Sequence, residues 1–437
     1  MAVKVRWREE PNVKEPQPGG QDWKQVLHAN REYLQQLETK AVDFVKRTIR
    51  ENSDKEVGVA YSGGKDSLVT LDLVLRADIK PKILFVDTGL EFPETVDNVH
   101  LVIERYDLQL FDYDAGDAFW HSMKHYGPPG RDFRWCCKSC KLGPTAILIK
   151  RNFPKGVLAF IGQRGKESEQ RYHKQDIWEN PWVPGQLGAS PIQKWNALEV
   201  WLHIFKYDLP YNPLYDQGMA RIGCWLCPSQ SLSENDLVAR HPDFQKWEQG
   251  LEGFARARGL KEPWLRFGLH RWNRLPKKMK VFLEEKGIDV TDDHKAVESR
   301  YVNDTLKLET ITQENDVIVG LFSSSIELDA LGHLLNILGA TETLGDHIRV
   351  DRGKWGQAKV YADRIEVTGG EERDVKKVFD VVYRAIYCVS CGVCIGRCPH
   401  DALTIDPGTR HVKLDPEVCV QCGECVGKCP VIEFPPR

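Results

Sequence analysis

The 437-residue chain lacks any run of about 18 apolar residues, so the sequence offers no membrane-spanning helix. Its first residues, MAVKVRWREEPNVKEPQPGG, lack the apolar centre of a signal peptide. Charge of one sign is also missing. The net charge of −3 and pI near 6.5 exclude a uniformly basic nucleic-acid binder while leaving a local basic face open. The expected location is therefore the cytoplasm, where disulfides are rare. The 13 cysteines, most of them in tight clusters, are expected to be metal ligands or redox groups.

Length suggests two to four domains, and the texture of the chain predicts four parts. Residues 1–52 form a polar, Pro- and Gly-rich tail followed by one or two amphipathic helices. Residues 53–300 hold the runs VGVAY, KILFVD and VLAFIG, each short enough for a strand buried on both faces, with the helical DSLVTLDLVLRA between the first two. That order predicts an α/β fold, a doubly wound parallel sheet covered by helices. Residues 301–385 read as a small α+β module: DVIVGLF, a helical ELDALGHLLNILGA, then HIRV, AKVYAD, RIEVTG and a helical ERDVKKVFDVVYRAIY. A spacer role suits it best. Residues 386–437 repeat a cysteine pattern and form a unit of their own.

That repeat is CVSCGVCIGRCP followed by CVQCGECVGKCP, or C-x2-C-x2-C-x3-C-P twice. In this pattern three thiolates wrap one iron–sulfur cube and the fourth, before proline, crosses to the other. Cys388, Cys391, Cys394 and Cys429 are thus assigned to one 4Fe-4S cluster, and Cys419, Cys422, Cys425 and Cys398 to a second. Paired zinc knuckles rarely use such a duplicate. The intervening ALTIDPGTRHVKLD predicts a hairpin turning at Pro407 and Gly408. This segment closely resembles a bacterial-type two-cluster ferredoxin, which implies electron delivery.

Near the other end, Ser62-Gly63-Gly64-Lys65-Asp66-Ser67 joins a buried strand to a helix. It is not a Walker loop, since Val59 and Asp66 stand where glycine and a hydroxyl residue belong. Two glycines let the backbone close on a phosphate, and a helix N-terminus supplies N–H groups and positive dipole. Ser62 and Ser67 can donate hydroxyl hydrogen bonds and Lys65 can neutralise charge. The loop resembles the SGGxDS loop of the ATP pyrophosphatases (PP-loop, or adenine nucleotide alpha-hydrolase-like, enzymes). That resemblance implies that ATP with Mg is bound, that the α-phosphorus is attacked and that pyrophosphate leaves.

Further landmarks extend the resemblance over residues 55–230. Asp87 and Thr88 stand just past a strand end, where ligands of open α/β sheets bind. GQRGKESEQR places Arg164, Lys166 and Arg171 after the third buried strand, and guanidinium forks suit phosphate or sulfate. RWCCKSCKLGP and RIGCWLCPS supply Cys136, Cys137, Cys140, Cys224 and Cys227. Together these resemble the phosphoadenosine phosphosulfate (PAPS) reductase family, including adenylyl-sulfate reductases and related sulfur-transfer enzymes. The resemblance implies a third 4Fe-4S cluster on Cys136, Cys137, Cys224 and Cys227, with Lys141 as a basic residue near it. A zinc site on the same four cysteines is the alternative. Cys140 is left over, as a substitute ligand, a sulfur-carrying thiol or a buried bystander.

Two departures separate this chain from sulfonucleotide reductases. Those enzymes carry a degenerate phosphate loop, whereas the ATP form is intact here. They also end in a nucleophilic cysteine, whereas the nearest string, RFGLH, has Phe267 in its place, and no cysteine lies between Cys227 and Cys388. The leading reading is therefore an enzyme that adenylates an acceptor with pyrophosphate release and transfers or reduces sulfur at the Cys136 cluster, using electrons from its own ferredoxin unit. Lys65, Asp66, Arg164, Arg171, Lys141 and Cys140 are the candidate catalytic residues. The second reading is a ferredoxin-fused adenylyl-sulfate or phosphoadenylyl-sulfate reductase making sulfite; the third is a non-catalytic electron-transfer subunit with a nucleotide sensor. Expected partners are ATP or an adenylyl sulfonucleotide and an external electron donor; HRWNR and Lys277 to Lys280 read better as a solvated helix face than as a contact for a tRNA or other nucleic-acid acceptor. No membrane partner is expected, self-association is left open, and low-potential clusters suggest an anaerobe.

Overall fold

The computed structural model describes residues 23–167, 169–230, 235–289, 305–406 and 411–434. The expected tail (1–20), the boundary at residues 300 and 301 and the turn at Pro407 and Gly408 lie outside them. Two compact units emerge: residues 1–116 with 148–250, and residues 117–147 with 251–437. Among the described residues no helix is long and apolar enough to cross a membrane.

In the first unit the two amphipathic helices form as expected, α1 (Trp23–Ala29) and α2 (Arg31–Glu51). The chain then alternates through β1 (Glu56–Ala60), α3 (Lys65–Leu75), β2 (Lys82–Asp87), α4 (Pro93–Arg105) and β3 (Leu110–Asp114). The chain next passes through α5 (Ala118–Tyr126), a π-helical turn (Cys137–Leu142) and α6 (Gly143–Asn152), of which residues 117–147 belong to the second unit. It returns in β4 (Val157–Ile161), followed by β5 (Ile177–Glu179), β6 (Gln186–Ala189) and α7 (Ala197–Tyr207). The strand order is β3-β2-β1-β4-β6-β5, parallel throughout except for β5, an antiparallel edge. The order reverses between β1 and β4, which makes their carboxyl ends the topological switch point where such sheets bind ligands.

Val59, Leu158 and Phe160 of the central strands are fully buried, and a core of Val45, Val69, Val74, Val200 and Trp201 gathers α2, α3 and α7 onto the sheet. A polar knot ties these helices together. Fully buried His203 has Nδ1 2.8 Å from Glu38 Oε1 and Nε2 2.7 Å from Asp72 Oδ2. Burial alone would raise both carboxyls, but hydrogen bonds from His203, joined by Lys206 at Glu38 and Arg76 at Asp72, hold both below the usual range.

The second unit carries an antiparallel sheet of β7 (Leu308–Glu314), β8 (Val317–Phe322), β9 (Ala340–Leu344), β10 (His347–Asp351), β11 (Gln357–Tyr361) and β12 (Arg364–Thr368), ordered β7-β8-β12-β11-β10-β9. The helix expected over ELDALGHLLNILGA does not form. Two 3-10 turns, Leu328–Leu331 and Leu334–Ile337, replace it, because Gly332 at φ 50° breaks the helical path between them. The other expected helix is present as α8 (Glu372–Tyr387), which packs on this sheet. It leads into α9 (Val393–Arg397) and the hairpin β13 (Leu403–Ile405) and β14 (Val412–Leu414).

His203→Ala should cost about 3 kcal/mol, since it removes one hydrogen bond from each of two buried carboxylates and leaves them to Lys206 and Arg76. Denaturant unfolding monitored by tryptophan fluorescence checks this; a loss under about 1 kcal/mol would show the knot to be incidental.

Candidate functional site

The loop from β1 to α3 lies at the switch point. Gly63 takes φ +70°, and a Cβ there would meet Thr95 Cγ2 at 2.7 Å, so glycine is required twice over. The Ser62 N–H donates to Ser67 Oγ (3.3 Å), and Ser67 Oγ donates to the Gly64 carbonyl (2.8 Å). Opposite, β4 is followed directly by Gly162, whose missing Cβ would stand 2.5 Å from Asp66 C and Ser67 N. The start of α3 can lie this close only against glycine.

Lys65 is buried at 1% exposure. Its Nζ donates to the Ala220 carbonyl at 3.2 Å, lies 3.6 Å from Asp66 Oδ2 and sits 5.3 Å from the Tyr215 ring centre. The Lys65 N–H donates to Tyr215 Oη at 2.9 Å, so a phenol oxygen occupies a helix N-terminal position suited to an anion. Arg164, 2% exposed, pairs through Nε with Asp66 and lies 3.7 Å from Glu167. Glu167 also pairs with Arg171 and lies 3.7 Å from Arg221. The structure thus gathers Lys65, Asp66 and Arg164 at one place, and it anchors Arg164 and Arg171 on carboxylates.

Past β2, Asp87 Oδ1 accepts from the Gly89 N–H (2.8 Å), and Thr88 Oγ1 donates to Glu91 (2.9 Å) while standing 3.4 Å from Cys224 Sγ. The Trp225 N–H donates to the Leu90 carbonyl at 2.9 Å, and the Cys227 N–H to the Cys224 carbonyl at 2.9 Å. Cys224 and Cys227 therefore sit at the edge that carries Asp87 and Thr88.

Cys136, Cys137, Cys140 and Lys141 belong to the second unit, on and just before the π-helical turn. A hydrogen bond from Cys136 holds the Cys137 thiol below the usual range despite burial, with Arg134 Nη2 3.6 Å away. Cys140 differs: it is 2% exposed and burial pushes its thiol up to about 12. A thiol kept protonated in this way is a poor nucleophile. Lys141 is exposed. Trp272 of the basic stretch is 7% exposed and offers no free ring face, although Lys277, Lys278 and Lys280 are exposed.

The eight remaining cysteines line two separate cavities. One is lined by Cys388, Cys391, Cys394 and Cys429, the other by Cys398, Cys419, Cys422 and Cys425. The backbone repeats itself around them: Ser390 and Gly392 have positive φ before and after Cys391, as Gln421 and Gly423 do around Cys422. Such turns aim N–H groups into a concavity and suit an anionic iron–sulfur cluster. Arg384, 1% exposed, lines the first cavity. Burial opposes its charge, but Cys394, Cys429, Cys425 and Cys388 outweigh it and hold its pKa above the ordinary value. A buried cation beside two thiol-lined cavities fits cofactors of net negative charge.

Sequence reasoning missed Tyr215, Glu167, Glu91 and Arg384. Only Arg384 left a signal, a charge among the apolar positions of α8.

The fold and these sites define a nucleotide-binding-type α/β protein joined to an iron–sulfur module. Residues 56–230 match the phosphoadenosine phosphosulfate reductase domain and residues 387–432 the 4Fe-4S dicluster domain. The adenosine 5'-phosphosulfate reductase of Geobacillus kaustophilus is 33% identical over 214 residues, 46% of this chain and 84% of that protein. The chain belongs to the phosphoadenosine phosphosulfate reductase family and ends in a two-cluster iron–sulfur domain. An uncharacterized protein of Methanocaldococcus jannaschii is 41% identical over 250 residues, 56% of this chain. The chain spans 52% of that relative's length and 61% of a second one's from the same organism. Among solved structures, a phosphoadenylyl-sulfate reductase of Candida auris in a phosphate complex is 23% identical, covering 45% of this chain and 96% of that one, with a TM-score of 0.34.

Tyr215→Phe removes the acceptor of the Lys65 N–H and should lower unfolding free energy by about 1 kcal/mol. Equilibrium denaturation of wild type and variant measures it; unchanged stability would mean that the phenol does not cap the helix.

Proposed function

We propose that this protein is an ATP-dependent sulfur-transfer enzyme: it adenylates an acceptor oxygen, releases pyrophosphate, and lets a sulfide (HS−) supplied as co-substrate displace the adenylated oxygen, so that AMP leaves with that oxygen. The observation that carries this is the intact Ser62–Ser67 loop at the switch point, with Lys65 and the N-terminus of α3 turned to one place. Lys65 would neutralise the leaving pyrophosphate, Gly63, Gly64, Ser62 and Ser67 would cradle it, and Asp66, Asp87 and Thr88 would bind the Mg ion and the nucleotide. Arg164 and Arg171, held by Asp66 and Glu167, would present guanidinium groups to phosphate oxygens.

By the family resemblance, Cys136, Cys137, Cys224 and Cys227 would hold a 4Fe-4S cluster, with Lys141 near it. When bound, that cluster would supply a site where sulfur is transferred or reduced. The Thr88 hydroxyl beside Cys224 and the Arg134 guanidinium beside Cys137 are the groups that would hold these thiolates in place. The two C-terminal clusters would be loaded on the cysteine sets described above and fed by an external donor.

A second reading, reduction of an adenylyl sulfonucleotide to sulfite, is favoured by the 33% identity to the Geobacillus kaustophilus reductase. Buried Cys140 and the lack of any cysteine between Cys227 and Cys388 leave that chemistry without a nucleophile.

The test is anaerobic incubation with ATP and candidate acceptors. Acceptor-dependent pyrophosphate release should be abolished in Lys65→Ala with iron content unchanged; equal turnover in the variant, or loss of its iron, refutes the assigned role. Separately, twelve cysteine ligands predict about 12 iron atoms per chain, falling to about 8 in Cys224→Ala. About 8 iron and one zinc in the wild type would remove the third cluster.

A further inference from the structure

Three close approaches within the second unit join the Cys391 loop to the chain that follows Cys140. A Cβ on Gly143 would stand 2.3 Å from the Cys391 carbonyl oxygen, one on Gly392 2.3 Å from Ile147 Cδ1, and one on Gly396 2.5 Å from Ala146 Cβ. Glycine at each contact lets α9 and its loop lie against the start of α6 at backbone distance.

Tyr126, at the end of α5, is linked toward these cysteines through His125, whose ring centre lies 4.8 Å from that of Tyr126 and 5.4 Å from that of Tyr387, the residue before Cys388. It and Ser139 of the π-helical turn are fully buried, and neither hydroxyl has a well-formed hydrogen bond. The Tyr126 ring stacks on Trp135 with centroids 5.0 Å apart. Burial pushes its phenol up, Cys391 and Cys429 push it further, and Ser139 offsets part of this. A buried hydroxyl without a well-formed hydrogen bond, close enough to feel the charge of two thiols of one cavity, can donate to sulfur. On that cavity's wall, Arg384 Nη1 donates to the Cys425 carbonyl at 3.0 Å while Nη2 has no hydrogen-bond partner. The other cavity lies in different surroundings, with Cys422 exposed and Val418 and Val420 open to solvent beside Cys419.

We propose that the cluster held by Cys388, Cys391, Cys394 and Cys429 is the inner, higher-potential member of the pair, tuned by Arg384 and by a hydrogen bond from Tyr126 to one of its sulfurs, and that it passes electrons to the Cys136–Gly143 segment. The proposal rests on the ligand assignment of the proposed function. Reduction adds one negative charge to a buried anionic group, so a nearby cation and a donated hydrogen bond both favour the reduced state and raise the potential. Each electron comes from a low-potential one-electron carrier, which is oxidised at the solvent-facing cluster. When loaded, the inner cluster would pass it to the 4Fe-4S cluster that Cys136 and Cys137 would help to hold, which would be reduced by one electron.

The test is a redox titration of the full chain followed by electron paramagnetic resonance, with iron measured throughout. The higher of the two ferredoxin potentials should survive in Cys422→Ala. That same potential should move to more negative values in Tyr126→Phe and in Arg384→Gln, the lower potential moving less. Ser139→Ala, which removes a competing partner of the Tyr126 hydroxyl, should shift it the opposite way, to less negative values, and it carries the test if either larger change prevents cluster loading; an unmoved potential in that variant counts against the proposal. Loss of the higher potential in Cys422→Ala overturns the proposal, as does a fully loaded Tyr126→Phe with both potentials unmoved. Pyrophosphate release plays no part in these readouts, so failure of the ATP chemistry and failure of this assignment are told apart.

Discussion

The nucleotide-type site depends on a steric constraint at one residue. The first turn of α3 meets Gly162, directly after β4, where any Cβ would lie 2.5 Å from the backbone of Asp66 and Ser67. Because that Cβ is missing, the two central parallel strands can bring the SGGKDS loop and the Arg164 segment to the same sheet edge. Tyr215 then caps the Lys65 N–H and the Ala220 carbonyl holds the Lys65 amine, so the stretch leading to Cys224 is tied to the loop. Movement of Lys65 toward a phosphate would be felt along that stretch.

The second unit solves a different problem, the concentration of negative charge that sulfur ligands bring indoors. Eight cysteines are divided between two cavities by the crossing of each fourth ligand, and duplicated positive-φ turns aim backbone N–H groups inward. Arg384 adds a full positive charge that water could not supply at that depth. Glycines at 143, 392 and 396 bring the π-helical turn's neighbours against one of the two loops.

Much of this was legible in the sequence. VGVAY, KILFVD and VLAFIG were readable as strands because a strand buried on both faces needs a continuous apolar run. The cysteine spacings were readable because cluster geometry fixes them. The strand LFDYD was not readable, since its polar residues hide the pattern, and neither were the mostly exposed strands LETITQE and ATETL. ELDALGHLLNILGA has helical periodicity, yet Gly332 overrides it. Tyr215 lies 150 residues from the N–H it caps, so local sequence holds no trace of the pairing. The burial of Cys140 and of Trp272 likewise comes from tertiary packing.

The central claim is that the SGGKDS site is built for ATP. Calorimetric competition between MgATP and an adenylyl sulfonucleotide on the anaerobic, cluster-loaded protein tests it most directly. The account predicts that MgATP binds at least about tenfold more tightly, a difference of about 1.4 kcal/mol. Tighter binding of the sulfonucleotide, with sulfite released on adding reductant, would contradict it.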